Sequence, residues 1–277
     1  MSTMRDDPME ATAQLYSGSI PALYDRYRGP VFFEPFASDL ARRLADLGSG
    51  DLLETAAGTG IVTRALARML PETVSIIATD ISQAMLDFAA EQPGVERITW
   101  RRADALTLPF DDAVFDAVLC QFGVMFFSDR VAGYREARRV LKPGARFVFS
   151  VWDRIENNEF CLIVCEAMAR LFPDNPPDLL ARTPYGYFDT DLIRDELTQA
   201  EFQKIVIETV ARQSAAPSAR YLAIGFCQGS PLRSAIEERD SSRLDEATDA
   251  ATKALLSRFG EGAIVGKMCA HLITATA

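Results

Sequence analysis

Between residues 51 and 152, short apolar runs alternate with stretches of helical periodicity. Residues 51–55 read as a short strand that enters a glycine turn. Residues 74–79 (VSIIAT) form a β-branched run, and 98–102, 115–121 and 146–152 read as further strands. Helical patterns lie between them at 61–69, at 82–91 with Ser82 as N-cap, and at 130–141, where Lys142-Pro143-Gly144 stops the helix. Strands buried on both faces of a sheet are apolar throughout, and VSIIAT and FDAVLC have that character. Strands and helices alternating at this spacing predict an α/β fold with a doubly wound, mostly parallel sheet.

The flanks read differently. Residues 1–14 are polar and acidic and read as a tail. Residues 20–47 are helical, with Pro21, Pro30 and Pro35 breaking them into short pieces. Phe36, Leu40, Leu44 and Leu47 line one helix face there, and Gly48-Ser49-Gly50 ends it. Residues 157–172 and 190–200 are helical, around a proline-rich loop at 173–187. Residues 204–210 (KIVIETV) alternate as a strand, 211–262 read as mostly helical, and 263–274 as a last strand, which brings the sheet to seven strands. The expected organisation is an N-terminal helical cap over 1–47, a core over 48–152, and the rest of the sheet over 153–277. Helical lid insertions are expected at about 153–190 and 211–262.

Composition narrows the function. The 277 residues carry 29 Lys plus Arg against 39 Asp plus Glu, a net charge of −10. Grip on nucleic acid or an anionic membrane needs a surplus of cations, so neither is an expected partner. The N-terminus has no apolar signal region. The longest apolar stretch, 117–127, is too short to span a bilayer and contains Gln121, so no membrane insertion and a cytoplasmic location are expected. Five cysteines, Cys120, Cys161, Cys165, Cys227 and Cys269, are widely spaced with no CxxC, and read as free thiols in a reducing compartment. The single histidine, His271, leaves no metal site to expect and reads as structural, in the last strand.

The segment Leu52-Leu53-Glu54-Thr55-Ala56-Ala57-Gly58-Thr59-Gly60 carries the main functional signal. A strand enters a turn of small residues and a helix leaves it, so a ligand can approach the backbone closely. Asp80 follows Gly60 by 20 residues, at the end of the next strand. A carboxylate there can accept from both ribose hydroxyls of a nucleoside. A dinucleotide site favours a small third position in GxGxxG, and here that position is Thr63. Glu54 before the turn would place a negative charge in the site, opposing a pyrophosphate and suiting a cation.

These residues resemble the class I S-adenosylmethionine-dependent methyltransferases over roughly 50–152. The family's acidic residue and GxGxG turn are matched by Glu54 to Gly60, with Ala56 at the first glycine and Glu54 where aspartate is commoner. Asp80 matches the acid of the second strand. Ala103-Asp104-Ala105, Leu108-Pro109-Phe110-Asp111 and Arg139-Val140-Leu141-Lys142-Pro143-Gly144 match later segments. The resemblance implies a Rossmann-like methyltransferase fold with helical cap insertions, S-adenosylmethionine as cofactor and S-adenosylhomocysteine as product. It places Glu54, Ala56, Gly58 and Gly60 at the methionine and ribose end, and Asp80 on the ribose hydroxyls. It places Ile81 and Met85 against the adenine, Asp104 on the adenine amine, Ala105 N–H near a ring nitrogen, and Gln121 and Phe122 at the cofactor and acceptor. Gln121 to Phe127, rich in Phe and Met, is similar to the ubiquinone/menaquinone biosynthesis and sterol-type C-methyltransferases, which implies a small apolar or amphipathic methyl acceptor.

No general base stands out. Tyr16, Tyr24, Tyr27 and Arg28 lie in a segment that closes over the cofactor in similar enzymes, and Tyr24, Tyr27 and Gln121 are the catalytic candidates. An NAD(P)-dependent oxidoreductase and a protein that binds S-adenosylmethionine without transferring from it stand as alternatives. Monomer and homodimer both fit the sequence.

Overall fold

The computed structural model describes residues 16–277; the tail expected over 1–14 lies outside them. Helix α1 (Ile20–Leu23) runs through a π-helical stretch (Tyr24–Phe33) into α2 (Glu34–Arg42). The prolines therefore do not cut this segment into separate pieces. Pro21 and Pro35 occupy first-turn positions, where a missing N–H removes no helical bond, and Pro30 is taken up within the wider π-helical turns.

The sheet alternates with helices as the period change predicts. In order come β1 (Gly50–Glu54), α3 (Ile61–Met69), β2 (Val74–Asp80), α4 (Gln83–Ala90), β3 (Ile98–Arg102), β4 (Phe115–Gln121), α5 (Arg130–Val140) and β5 (Leu141–Trp152). Then follow α6 (Glu159–Leu171), α7 (Leu179–Arg182), α8 (Thr190–Gln199), β6 (Gln203–Ala216), α9 (Ala219–Cys227), α10 (Leu232–Asp240), α11 (Leu244–Phe259) and β7 (Ile264–Thr276). The seven strands lie in the order β3-β2-β1-β4-β5-β7-β6. The first five pair in parallel, and β7 runs antiparallel between β5 and β6. The chain reverses its winding between β1 and β4, which opens a crevice at the carboxyl ends of those strands.

Two boundaries differ from the sequence expectation. Strand β5 begins at Leu141, so the Lys142-Pro143-Gly144 stop already lies in extended chain, with a register shift against β4. Strand β6 continues to Ala216, over residues expected to be helical from 211. Its partner β7 pairs with it from Ala211↔Cys269 to Ala216↔Ile264. Helix α11 packs against both α6 and α9, and α9 lies against the π-helical segment, forming a cap beside the sheet. Among the described residues no helix is long and apolar enough to cross a membrane.

Candidate active site

The crevice holds a cavity of about 420 Å³, within the range of small-molecule sites. Its floor is the turn after β1. Thr55 N–H donates to the Leu119 carbonyl (2.9 Å) and Ala57 N–H to that of Thr79 (2.9 Å), tying the turn to β4 and β2. Ala56 takes a left-handed φ of +52°, a conformation that favours glycine. Its methyl group is accommodated because residue 123 is glycine: a Cβ there would stand 2.4 Å from that of Ala56. Phe122, at φ +53°, is a second strained wall residue.

Asp80 ends β2 at the cavity edge. Its Oδ2 accepts from Gly58 N–H and its Oδ1 from Ser82 N–H, both at 2.8 Å. The carboxylate is fixed in place before any ligand arrives. Burial raises its pKa above the ordinary value, against the lowering effect of these backbone donors. Ser82 caps α4 through Met85 N–H, which sets Met85 into the wall. Asp104 Oδ1 accepts from Leu106 N–H (2.9 Å) and its carbonyl from Thr107 N–H (3.1 Å), forming a tight turn at the far end. Gln121 is anchored by donating Nε2–H to the Phe33 carbonyl (2.9 Å).

Of the residues the resemblance assigns to the cofactor, Ala56, Gly58, Asp80, Ile81, Met85, Asp104, Ala105, Gln121 and Phe122 line this one cavity. Glu54 and Gly60 are not wall residues. Gly60 instead begins α3 at φ +76°, where a Cβ would stand 2.9 Å from the Trp100 ring. Glu54 does not project a charge into the site as expected. It is 1% exposed and accepts from the Thr63 hydroxyl at 2.6 Å. Burial pushes its carboxyl up to about 8, against the Thr63 bond, so it is mostly protonated at neutral pH.

Tyr24 lines the cavity and stacks on Phe33 at 4.8 Å. Tyr27 does not line it; its ring lies 4.6 Å from that of Tyr221. Burial pushes the Tyr24 hydroxyl well above the usual phenol range and that of Tyr16, another wall residue, up to about 12. His271 is buried in β7, with Nδ1 2.9 Å from Thr209 Oγ1 and Nε2 3.3 Å from Asp153 Oδ1. It is not a wall residue. Leu106 and Ser128 complete the wall without having been singled out in the sequence. Their signal was available: loops leaving the carboxyl ends of strands line the crevice of a doubly wound sheet.

Residues 53–149, which carry most of this wall, match the family model described as a methyltransferase domain. A ubiquinone/menaquinone biosynthesis C-methyltransferase of Geobacter sulfurreducens is 36% identical over 128 residues, 45% of this chain and 50% of the relative. A demethylmenaquinone methyltransferase of Deinococcus radiodurans is 41% identical over 99 residues, 35% of this chain and 41% of the relative. The chain thus spans about half the length or less of these curated relatives. Solved structures share the fold. Phosphoethanolamine N-methyltransferase 2 of Haemonchus contortus, in complex with S-adenosyl-L-methionine, has a TM-score of 0.63 at 14% identity, covering 100% of this chain and 61% of that one. The [4+2]-cyclase SpnF has 0.60 at 20% identity, covering 96% and 94%.

Proposed function

We propose that this chain catalyses S-adenosylmethionine-dependent methyl transfer to a small apolar or amphipathic acceptor by in-line displacement. The observation that carries the reading is the convergence on one cavity of the β1 turn, the fixed Asp80 carboxylate and the Asp104 turn, within the stretch that matches a methyltransferase domain. Each Asp80 oxygen holds one backbone donor and keeps acceptor capacity for a ribose hydroxyl. Met85 and Ile81 offer apolar contact to the adenine, and Asp104 keeps Oδ2 for its amine. Bound S-adenosylmethionine would supply an electrophilic sulfonium methyl group and leave as S-adenosylhomocysteine.

The chain's own share is alignment and exclusion of water. Tyr24, Phe122, Phe126 and Phe127 supply the apolar walls for that. Burial raises the Tyr24 hydroxyl above its ordinary phenol range, which counts against Tyr24 as a general base. Glu54, mostly neutral, supports the turn from beneath by its bond to Thr63. A cytoplasmic enzyme, active as a monomer or homodimer, fits this reading.

Titration calorimetry with S-adenosylmethionine and S-adenosylhomocysteine tests it, on wild type and Asp80→Ala. Loss of a charged hydrogen bond should weaken binding by about 1.5–3 kcal/mol. A folded wild type that takes neither compound, or takes NADH instead, overturns the reading. Binding of S-adenosylmethionine with no product from any acceptor leaves a cofactor-binding protein in its place.

A further inference from the structure

Arg28 carries a charge that the fold does not answer. The residue is 7% exposed, and its buried Nε has no hydrogen-bond partner. Among the described residues no carboxylate pairs with it. Its guanidinium stands over aromatic faces instead: 5.1 Å from the centre of the Tyr24 ring, 5.4 Å from Phe32 and from Phe33, and 5.8 Å from Phe226. Such contacts attract a cation but return less than burying an unpaired charge costs. Arginine cannot shed its proton to escape that cost, as a lysine can. A site of this kind is satisfied by an anion that comes and goes.

Its place in the fold indicates which anion. Tyr24, against the guanidinium, is a wall of the cavity, and Phe33, also against it, gives its carbonyl to the wall residue Gln121. The charge therefore lies one ring behind the wall. The cavity wall that includes Tyr24 is itself aromatic: Phe122, Phe126 and Phe127 line it too, and Trp152 stacks behind Phe122 at 3.8 Å. The rings that cradle Arg28 come from the π-helical segment and from α9, not from the strand ends that carry Asp80 and Asp104.

We propose that Arg28 binds the carboxylate of the methyl acceptor, so that the acceptor is a small aromatic acid, with its ring against the cavity wall of Phe122, Phe126 and Phe127. This rests on the methyltransferase reading above. The Tyr24 ring lies between the guanidinium and the cavity, so that ring must give way when the carboxylate binds. A planar guanidinium offers two parallel N–H donors to the two carboxylate oxygens, and a buried setting strengthens them. A neutral ester or amide of the same shape would leave the charge unmet.

The cofactor's methionine part also carries a carboxylate, and the test separates the two sources. Wild type, Arg28→Met and Arg28→Lys are each titrated with S-adenosylhomocysteine and with 5′-methylthioadenosine, which lacks that carboxylate. The S-adenosylhomocysteine-saturated proteins are then titrated with benzoate, phenylacetate and 2-hydroxybenzoate, each beside its own amide. The expected result is a preference of at least tenfold for one or more acids in wild type, lost in Arg28→Met and partly kept in Arg28→Lys. S-adenosylhomocysteine affinity should change less than threefold across the series. Equal or absent binding of every acid and its amide by wild type overturns the proposal, as does a preference that survives Arg28→Met. A tenfold loss of S-adenosylhomocysteine binding in Arg28→Met, with 5′-methylthioadenosine unaffected, assigns Arg28 to the cofactor and also overturns it. Should Arg28→Met fail to fold, wild type and Arg28→Lys decide: undiminished acid preference with lysine at this position counts against a bidentate role. A wild type that takes no S-adenosylhomocysteine overturns the underlying reading and this proposal together, whereas cofactor binding without acid selectivity overturns this proposal alone.

Discussion

Glu54 illustrates how one side chain can sit in a functional motif and face away from the function. It ends β1, one residue before the turn that lines the cavity, yet its carboxyl is buried against Thr63 at the start of α3. The unfolded chain holds this group near its ordinary value of 4.5, and burial raises it to about 8 in the fold. The folded state thus binds a proton that the unfolded state has released. This contribution to stability is fully present below about pH 4.5 and is lost as pH rises through about 8. Asp80 is raised as well and acts in the same direction, so wild type alone cannot isolate Glu54. Glu54→Gln keeps a carbonyl oxygen for the Thr63 hydroxyl and cannot ionise. Denaturant unfolding of both proteins at pH 6 and pH 9 should find the variant gaining at least about 1 kcal/mol on wild type between the two. Parallel pH profiles for the two proteins would mean that Glu54 is ionised at neutral pH and that the turn tolerates its charge.

At the scale of elements, Arg97 shows how a single side chain fixes where a helix stops and a strand starts. Its two terminal nitrogens donate to four carbonyls: Pro71 (3.2 Å), Val74 (2.8 Å), Ala67 (3.0 Å) and Leu70 (2.9 Å). These lie at the C-terminal end of α3 and the entry to β2, where helical carbonyls have no partner of their own and a cation is favoured. Arg97→Ala should lower unfolding stability by about 1–3 kcal/mol, and Arg97→Lys should recover little, since an ammonium cannot span the four acceptors. An equilibrium urea titration reads both, and a loss below about 0.5 kcal/mol would mean that water replaces the arginine. The same comparison of local and distant causes explains what was legible in the sequence. Strands β2 and β4 declare themselves because a strand buried on both faces must be apolar along its length. The outer half of β6, Ala211-Arg212-Gln213-Ser214-Ala215-Ala216, does not. Alanine favours helix locally, and only pairing with β7, some fifty residues later, makes this stretch a strand. In the site, the turn and Asp80 were readable because their demands are local. The direction of Glu54 and the burial of Arg28 were not, because Thr63 in one case and α9 in the other decide them.

The whole molecule joins its two layers at the cavity. Loops at the strand ends give one wall, and Tyr16 and Tyr24 of the N-terminal segment give another. Among the described residues the bonds that cross between these layers include Gln121 to Phe33, the Ser82 hydroxyl to the Tyr16 carbonyl at 3.5 Å, and Arg64, which joins the Thr59 carbonyl of the turn to Asp25. A nucleoside ligand in the cavity would touch both layers and so stabilise them as one unit. Ligand present at a hundred times its dissociation constant adds about 2.7 kcal/mol to the folded state. For a chain of this length that should raise the melting temperature by roughly 5–10 °C. Differential scanning calorimetry with and without S-adenosylhomocysteine should therefore record a single transition that moves up as a whole. The cap and the sheet could instead unfold separately, with S-adenosylhomocysteine moving only the later transition. The N-terminal segment would then contribute no binding energy, and the aromatic wall built on Tyr24 would be a cover for the cavity with no hold on its occupant.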